Sequence, residues 1–125
     1  VMLRLHHPDV FVFVAKKGKI VLGFIDVGIS AESGFLNGFS VRADYRKKGV
    51  GQKLLFFGVN FLLESGVQKI LLLVSQKNLV AKKMYESAGF VFVRVHHKKI
   101  DGDVVDEMEL RPRGVVESFF KKFVS

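Results

Sequence analysis

Residues 51–75 read "GQKLLFFGVNFLLESGVQKILLLVS", and no other stretch constrains the fold as strongly. From Gly51 to Ser65 the apolar residues cover more than one face, including Leu54, Phe56, Phe57, Phe61 and Leu63. That length suits a helix of about four turns. Such a helix is expected to be buried on most sides. Gly66 sits where a C-terminal cap belongs. The run Lys69–Ser75 is short, apolar and unbroken, which predicts a buried parallel strand. Upstream, "GFLNGFSVRA" predicts a strand over Phe35–Val41. Strand, helix and strand then form a crossover, expected to be right-handed.

The flanking segments extend this unit into an α/β (α+β) fold. "DVFVFVAKKGKIVLGFIDVGI" holds two β-branched and aromatic runs, Val10–Ala15 and Ile20–Ile29, around the turn "KKGK",. They predict a hairpin. Asn78 caps a second helix, "LVAKKMYESAG", with Val80, Met84 and Ala88 on one face,. "FVFVRVHHKK" and "VVDEMEL" flank the Asp-Gly turn "IDGD" and predict another hairpin,. "VVESFFKKFV" predicts a short closing amphipathic helix,. The expected order is βββαβαββα: a mixed, mostly antiparallel sheet with one parallel strand–helix–strand crossover, flanked by helices. At 125 residues, positions 1–125 are expected to form a single domain,.

Hydrophobic residues make up 49% of the chain, enough for a packed core,. Lys and Arg number 20 against 12 Asp and Glu, a net +8 that favours anionic partners,. The absence of cysteine excludes disulfides, thiolate metal sites and cysteine nucleophiles,. No apolar run reaches the ~18 residues of a membrane span. No signal-peptide pattern opens the sequence, so a cytoplasmic location without membrane attachment is expected.

The crossover places "RKKGVG", Arg46 to Gly51, between a strand and a helix. Ligands in such sheets favour the carboxyl ends of the crossover strands. A helix start presents unpaired N–H groups and partial positive charge, and glycine admits close approach of an anion. Lys47 and Lys48 add mobile cations, and Arg46 adds a bidentate donor. Each feature suits a phosphate. A solvated basic turn fits the same residues, and the loop alone leaves both readings open. Three familiar motifs fail on spacing. Neither this loop nor "AKKGKI" supplies the Gly-x4-Gly-Lys-Ser/Thr of a P-loop,. The dinucleotide fingerprint needs a third glycine where Leu54 stands. "AGFVFVRV" lacks the basic residue that opens the aromatic RNA-binding motif, so Phe90 and Phe92 are expected in the core.

The combination is more specific than either part. "SVRADYRKKGVGQKLL", a helix and strand, and then "NLVAKKMYESAGF" resembles the GCN5-related N-acetyltransferase (GNAT) superfamily over roughly residues 10–110. Arg46, Gly49 and Gly51 match its Arg/Gln-x-x-Gly-x-Gly/Ala signature; Asn78, Tyr85 and Gly89–Phe90 form a second match. The resemblance implies that Phe39, Ser40 and Val41 lie on the strand whose backbone pairs with the pantetheine arm of acetyl-CoA. It implies that Lys47, Lys48, Gly49, Val50, Gly51 and Gln52 donate N–H groups to the pyrophosphate. Asn78 would contact the cofactor arm and Tyr85 would protonate the departing thiolate. Asn78 also reads as a helix cap, and Tyr85 as a core aromatic with a wet hydroxyl. The activity implied is direct acetyl transfer from acetyl-CoA to an amine, on a protein or a small molecule, with no metal.

Two departures from the family stand out. Many relatives carry a Glu on the strand before the second helix, where this chain has Leu73. Ser75, a water chain or Glu32 are substitutes, and an acceptor arriving as a neutral amine needs none. Only nine residues precede the first expected hairpin, where the family has a strand and one or two helices. Either the chain is a fragment, or a partner covers the gap, or the acceptor cleft is open. The over-apolar helix favours a cover, hence an expected homodimer. The alternative function is a non-catalytic acyl-CoA-binding or regulatory module. Nucleic-acid binding ranks behind both, because no base-stacking or groove-reading element is found. His6–His7 and His96–His97 point to opposite faces of a strand, so neither pair makes a metal site. His96 and His97 can serve as bases near the acceptor. The acids Asp101, Asp103, Asp106, Glu107 and Glu109 read as a solvated hairpin or an attractor of cationic acceptors.

Overall fold

The computed structural model describes residues 2–4, 9–100 and 102–112. The chain divides into two compact units, Val1–Val67 and Gln68–Ser125. The expected closing helix, His6–His7 and Asp101 lie outside the described residues.

In the first unit four strands pair antiparallel in chain order: β1 (Met2–Arg4), β2 (Val10–Lys17), β3 (Ile20–Ser30) and β4 (Ser33–Val41). The β2–β3 hairpin turns at Gly18, whose φ is 61°. β1 is an addition to the sequence reading, which began its strands at Val10; three residues carry too little periodicity to show as a strand,.

The helix α1 (Val50–Glu64) covers one face of this sheet. Its buried stripe is Leu54, Leu55, Gly58, Val59 and Leu62. Gly58 rests on Ile25, and Leu62 packs over Gly34. Phe61 meets the rings of Phe11 and Phe13 edge-on, at centroid distances of 4.8 and 5.1 Å. The expectation of burial on most sides does not hold. Phe57 is 59% exposed, because a helix lying on a single sheet face buries only the stripe turned towards that face,.

In the second unit β5 (Lys69–Ser75) is followed by α2 (Leu79–Ser87), β6 (Val91–Ile100) and β7 (Asp103–Leu110). β7 pairs antiparallel with β5 and with β6. Ile70, Leu72 and Val74 of β5, and Met108 and Leu110 of β7, are buried with Phe90. Phe92, expected in the core, is 57% exposed. A register shift between Phe92 and Arg94 interrupts the alternation that would bury it,. Val80, expected on the apolar face of α2, is also exposed, while Ala88 is buried. Among the described residues, no helix is long and apolar enough to cross a membrane.

Candidate active site

The first unit holds the glycine-rich basic turn. β4 ends at Val41, and a single 3-10 turn, Ala43–Tyr45, leads to Arg46. Phe39, Ser40 and Val41 pair with Ile25, Phe24 and Gly23 of β3. The turn is fixed by its own side chains. Arg46 Nε donates to the Val41 carbonyl at 3.1 Å, folding the loop back onto the strand end. Arg42 pairs with Asp44 at 2.8 Å. Lys48 Nζ lies 5.0 Å from the centre of the Tyr45 ring, a cation–π contact,.

Two residues then turn the chain into α1 with positive φ: Lys47 at 64° and Gly49 at 84°. Lys47 in that region is uncommon for a side chain carrying a Cβ, and such strain concentrates at functional turns. Gly49 is the N-cap and provides no side-chain cap. The first helical bond runs from the Lys53 amide to the Gly49 carbonyl. The amides of Val50, Gly51 and Gln52 therefore open the helix without helical acceptors. A Cβ built on Gly49 meets nothing within 4 Å, so the space above the turn is open. The Nε of Arg46, read from the sequence as a phosphate ligand, holds the Val41 carbonyl. Charge alone does not reveal that this guanidinium also shapes the loop.

The second unit holds Asn78 and Tyr85. Asn78 is the N-cap of α2, its Oδ1 accepting from the Ala81 amide at 3.1 Å. Tyr85, two turns along, is buried with 8% exposure and stacks edge-on against Phe90 at 5.9 Å. Burial pushes its phenol up to about 12,. The hydroxyl therefore stays protonated across the physiological range, the state a proton donor needs. Leu73 on β5 is 45% exposed.

The acids of the last hairpin divide by face. Asp106 is not solvated, as the sequence suggested, but 3% exposed. Lys82 Nζ of α2 donates to it at 2.6 Å and Gln76 Nε2 at 2.9 Å. The Lys82 hydrogen bond, with help from Gln76, holds this carboxyl below the usual carboxylate range against the opposing effect of burial. On the other face, Ser75 Oγ donates to Asp103 at 3.2 Å and His96 Nε2 donates to Glu107 at 2.7 Å. Sequence reasoning missed both pairings, because each joins residues more than ten positions apart. Among the described residues no group of His, Asp and Glu is arranged to hold a metal ion.

A model of the acetyltransferase (GNAT) family matches residues 2–90. The chain belongs to this family. It is 40% identical over 53 residues to mycothiol acetyltransferase of Corynebacterium aurimucosum, a stretch that is 42% of this chain and 17% of that protein. The chain therefore spans a minor part of that relative. Among solved structures, the ribosomal-protein-S18-alanine N-acetyltransferase of Escherichia coli superposes with a TM-score of 0.76 at 24% identity, over 85% of this chain and 71% of that one. PaiA N-acetyltransferase of Thermoplasma acidophilum, solved with coenzyme A, gives 0.67 at 24% identity, over 82% and 61%. These likenesses show the GNAT fold, the mixed and mostly antiparallel α/β arrangement expected from the sequence.

Proposed function

We propose that this GNAT chain binds acetyl-CoA and transfers its acetyl group directly to an amine, on a protein or a small molecule. The observation that carries the reading is the turn at Lys47–Gln52. Two positive-φ residues lead into a helix start whose first amides lack helical acceptors, with open space at Gly49 and exposed lysines beside it. That is the chemistry of a pyrophosphate cradle. Phe39–Val41 would pair with the pantetheine arm, Asn78 would contact it, and Tyr85 would protonate the leaving thiolate. The CoA complex of PaiA supports the cofactor.

Thermal shift with CoA tests the cradle. Saturating CoA should raise the midpoint by several degrees, since ligand at about 100 times Kd adds ~2.7 kcal/mol. Gly49→Glu should abolish that shift by setting bulk and negative charge where the phosphates bind. Gly49→Ala, whose Cβ meets open space, should lower the starting midpoint through the positive φ yet retain the shift,. A midpoint unmoved by CoA in the wild-type chain rejects the reading. Tyr85→Phe should lower turnover far more than CoA affinity; equal losses would remove the acid assignment.

A second reading is favoured by Leu73, which puts an alkyl group where many family members have a carboxylate. On that reading the chain is a non-catalytic acyl-CoA-binding module. CoA binding without thiol release above background, over a broad amine panel, would support it.

A further inference from the structure

We propose that His96 and Glu107 form the proton-accepting dyad of this chain, with His96 as the base that deprotonates the acceptor amine. The inference rests on the acyl-transfer reading above and supplies the group that reading lacks.

β5 offers no base on the face turned away from α2. Lys69, an ammonium at the far end of the strand, is followed on it by Leu71, Leu73 and Ser75, whose hydroxyl is already given to Asp103. In the β5–β7 register, Glu107 lies directly opposite Leu73, and directly opposed residues share a face,. Leu73 is near the carboxyl end of β5, the end at which open α/β sheets bind ligands. Its exposed side chain gives an apolar surface beside the dyad.

Among the described residues, the other charged groups near this pair are committed or unsuitable. Glu109 holds Arg111 at 3.2 Å, and Asp103 receives Ser75 and lies 3.5 Å from Lys77. Arg94 of β6, opposite Glu107, cannot accept a proton,. Asp106 is turned to the other face, where Lys82 holds it. Among the described residues, the imidazole held by a carboxylate is that of His96, at 2.7 Å from Glu107.

The pair divides the labour. Glu107, mostly buried, fixes the half-buried ring by accepting from Nε2. Nδ1 is then the free lone pair, the tautomer a base requires. The amine enters as an ammonium and gives one proton to Nδ1. Its nitrogen bonds to the thioester carbonyl carbon, the C–S bond breaks, and the thiolate takes a proton from Tyr85. The second proton lost from nitrogen passes through solvent to the Tyr85 phenolate and restores the phenol, replacing the one given to sulfur. The first leaves Nδ1 for solvent.

The test uses the full chain, acetyl-CoA, and two acceptors: spermidine and a hexapeptide with a free α-amine. Thiol release gives kcat, and calorimetry gives the acetyl-CoA affinity. His96→Asn should lower kcat by about 10²–10⁴ with acetyl-CoA affinity unchanged. The acidic limb of the wild-type pH–rate profile should vanish with it. Added imidazole should restore turnover in His96→Ala, which a merely structural histidine would not allow. Glu107→Gln, which keeps the ring but loses the carboxylate, should fall by less. If both variants keep wild-type kcat and pH profile, or if imidazole restores nothing to His96→Ala, the dyad is refuted while acyl transfer stands. If the wild-type chain binds acetyl-CoA but acetylates neither acceptor, the acyl-transfer reading fails, and the dyad with it.

Discussion

At the scale of single residues, burial decides what a titratable group does. Tyr85 carries a phenol shifted from 10.0 to about 12 by desolvation. The unfolded chain loses this proton near pH 10, whereas the folded chain keeps it to about 12. Stability is therefore intact below pH 10 and is lost as pH rises through that window. Two pH units correspond to at most about 3 kcal/mol. Urea midpoints measured from pH 9 to 12 should fall more steeply for the wild type than for Tyr85→Phe. Asp106 behaves in the opposite sense. Its carboxyl is lowered, so its contribution is present above the usual carboxylate range and fades as pH falls below it,. Lys82→Met leaves a buried carboxylate without its cation and should cost about 3–5 kcal/mol at neutral pH. Adding Asp106→Leu should recover most of that loss in chemical denaturation.

At the scale of elements, the close seating of α1 on β3 sets where the basic turn begins. A Cβ on Gly23 would lie 2.5 Å from the Ser40 carbonyl oxygen and 3.0 Å from Leu54 in the second turn of α1. Backbone cannot yield as a side chain can. Gly23→Ala should therefore destabilise the fold by about 1–3 kcal/mol. Because the strain falls between β3 and the end of β4, CoA-induced stabilisation should weaken as well. A variant with an unchanged thermal midpoint would show that β4 moves freely there. The elements themselves were legible in the sequence. β5 was read to the residue, and α1 and α2 to within two, because apolar periodicity and the Asn78 cap are local signals. β1 was missed for lack of length. The exposure of Phe92 was missed because a strand irregularity leaves no mark in composition.

At the scale of the whole molecule, the outer side of α1 keeps Phe57 in solvent, with Phe56 beside it at a ring distance of 6.2 Å. We propose that a second copy of the chain covers it. Size-exclusion chromatography with light scattering should give a dimer, and Phe57→Glu should give a monomer with its CoA response intact. A stable wild-type monomer that does not aggregate would count against this. We also propose that residues 1–125 act as a single functional domain. Limited proteolysis with CoA present should then protect the two units together.

The sequence by itself determined the order of elements from β2 to β7, the family, and the place of the basic glycine turn between a strand and a helix. Those depend on residues close together in the chain: period, caps and turn chemistry. Only the tertiary structure decided which charges are spoken for. Arg46 holds the Val41 carbonyl, Lys82 holds Asp106, and Glu107 holds His96. The last two are contacts across strands or from helix to strand, made by a register that no local signal encodes. The same register set Glu107 opposite Leu73, where the sequence alone showed only a missing carboxylate.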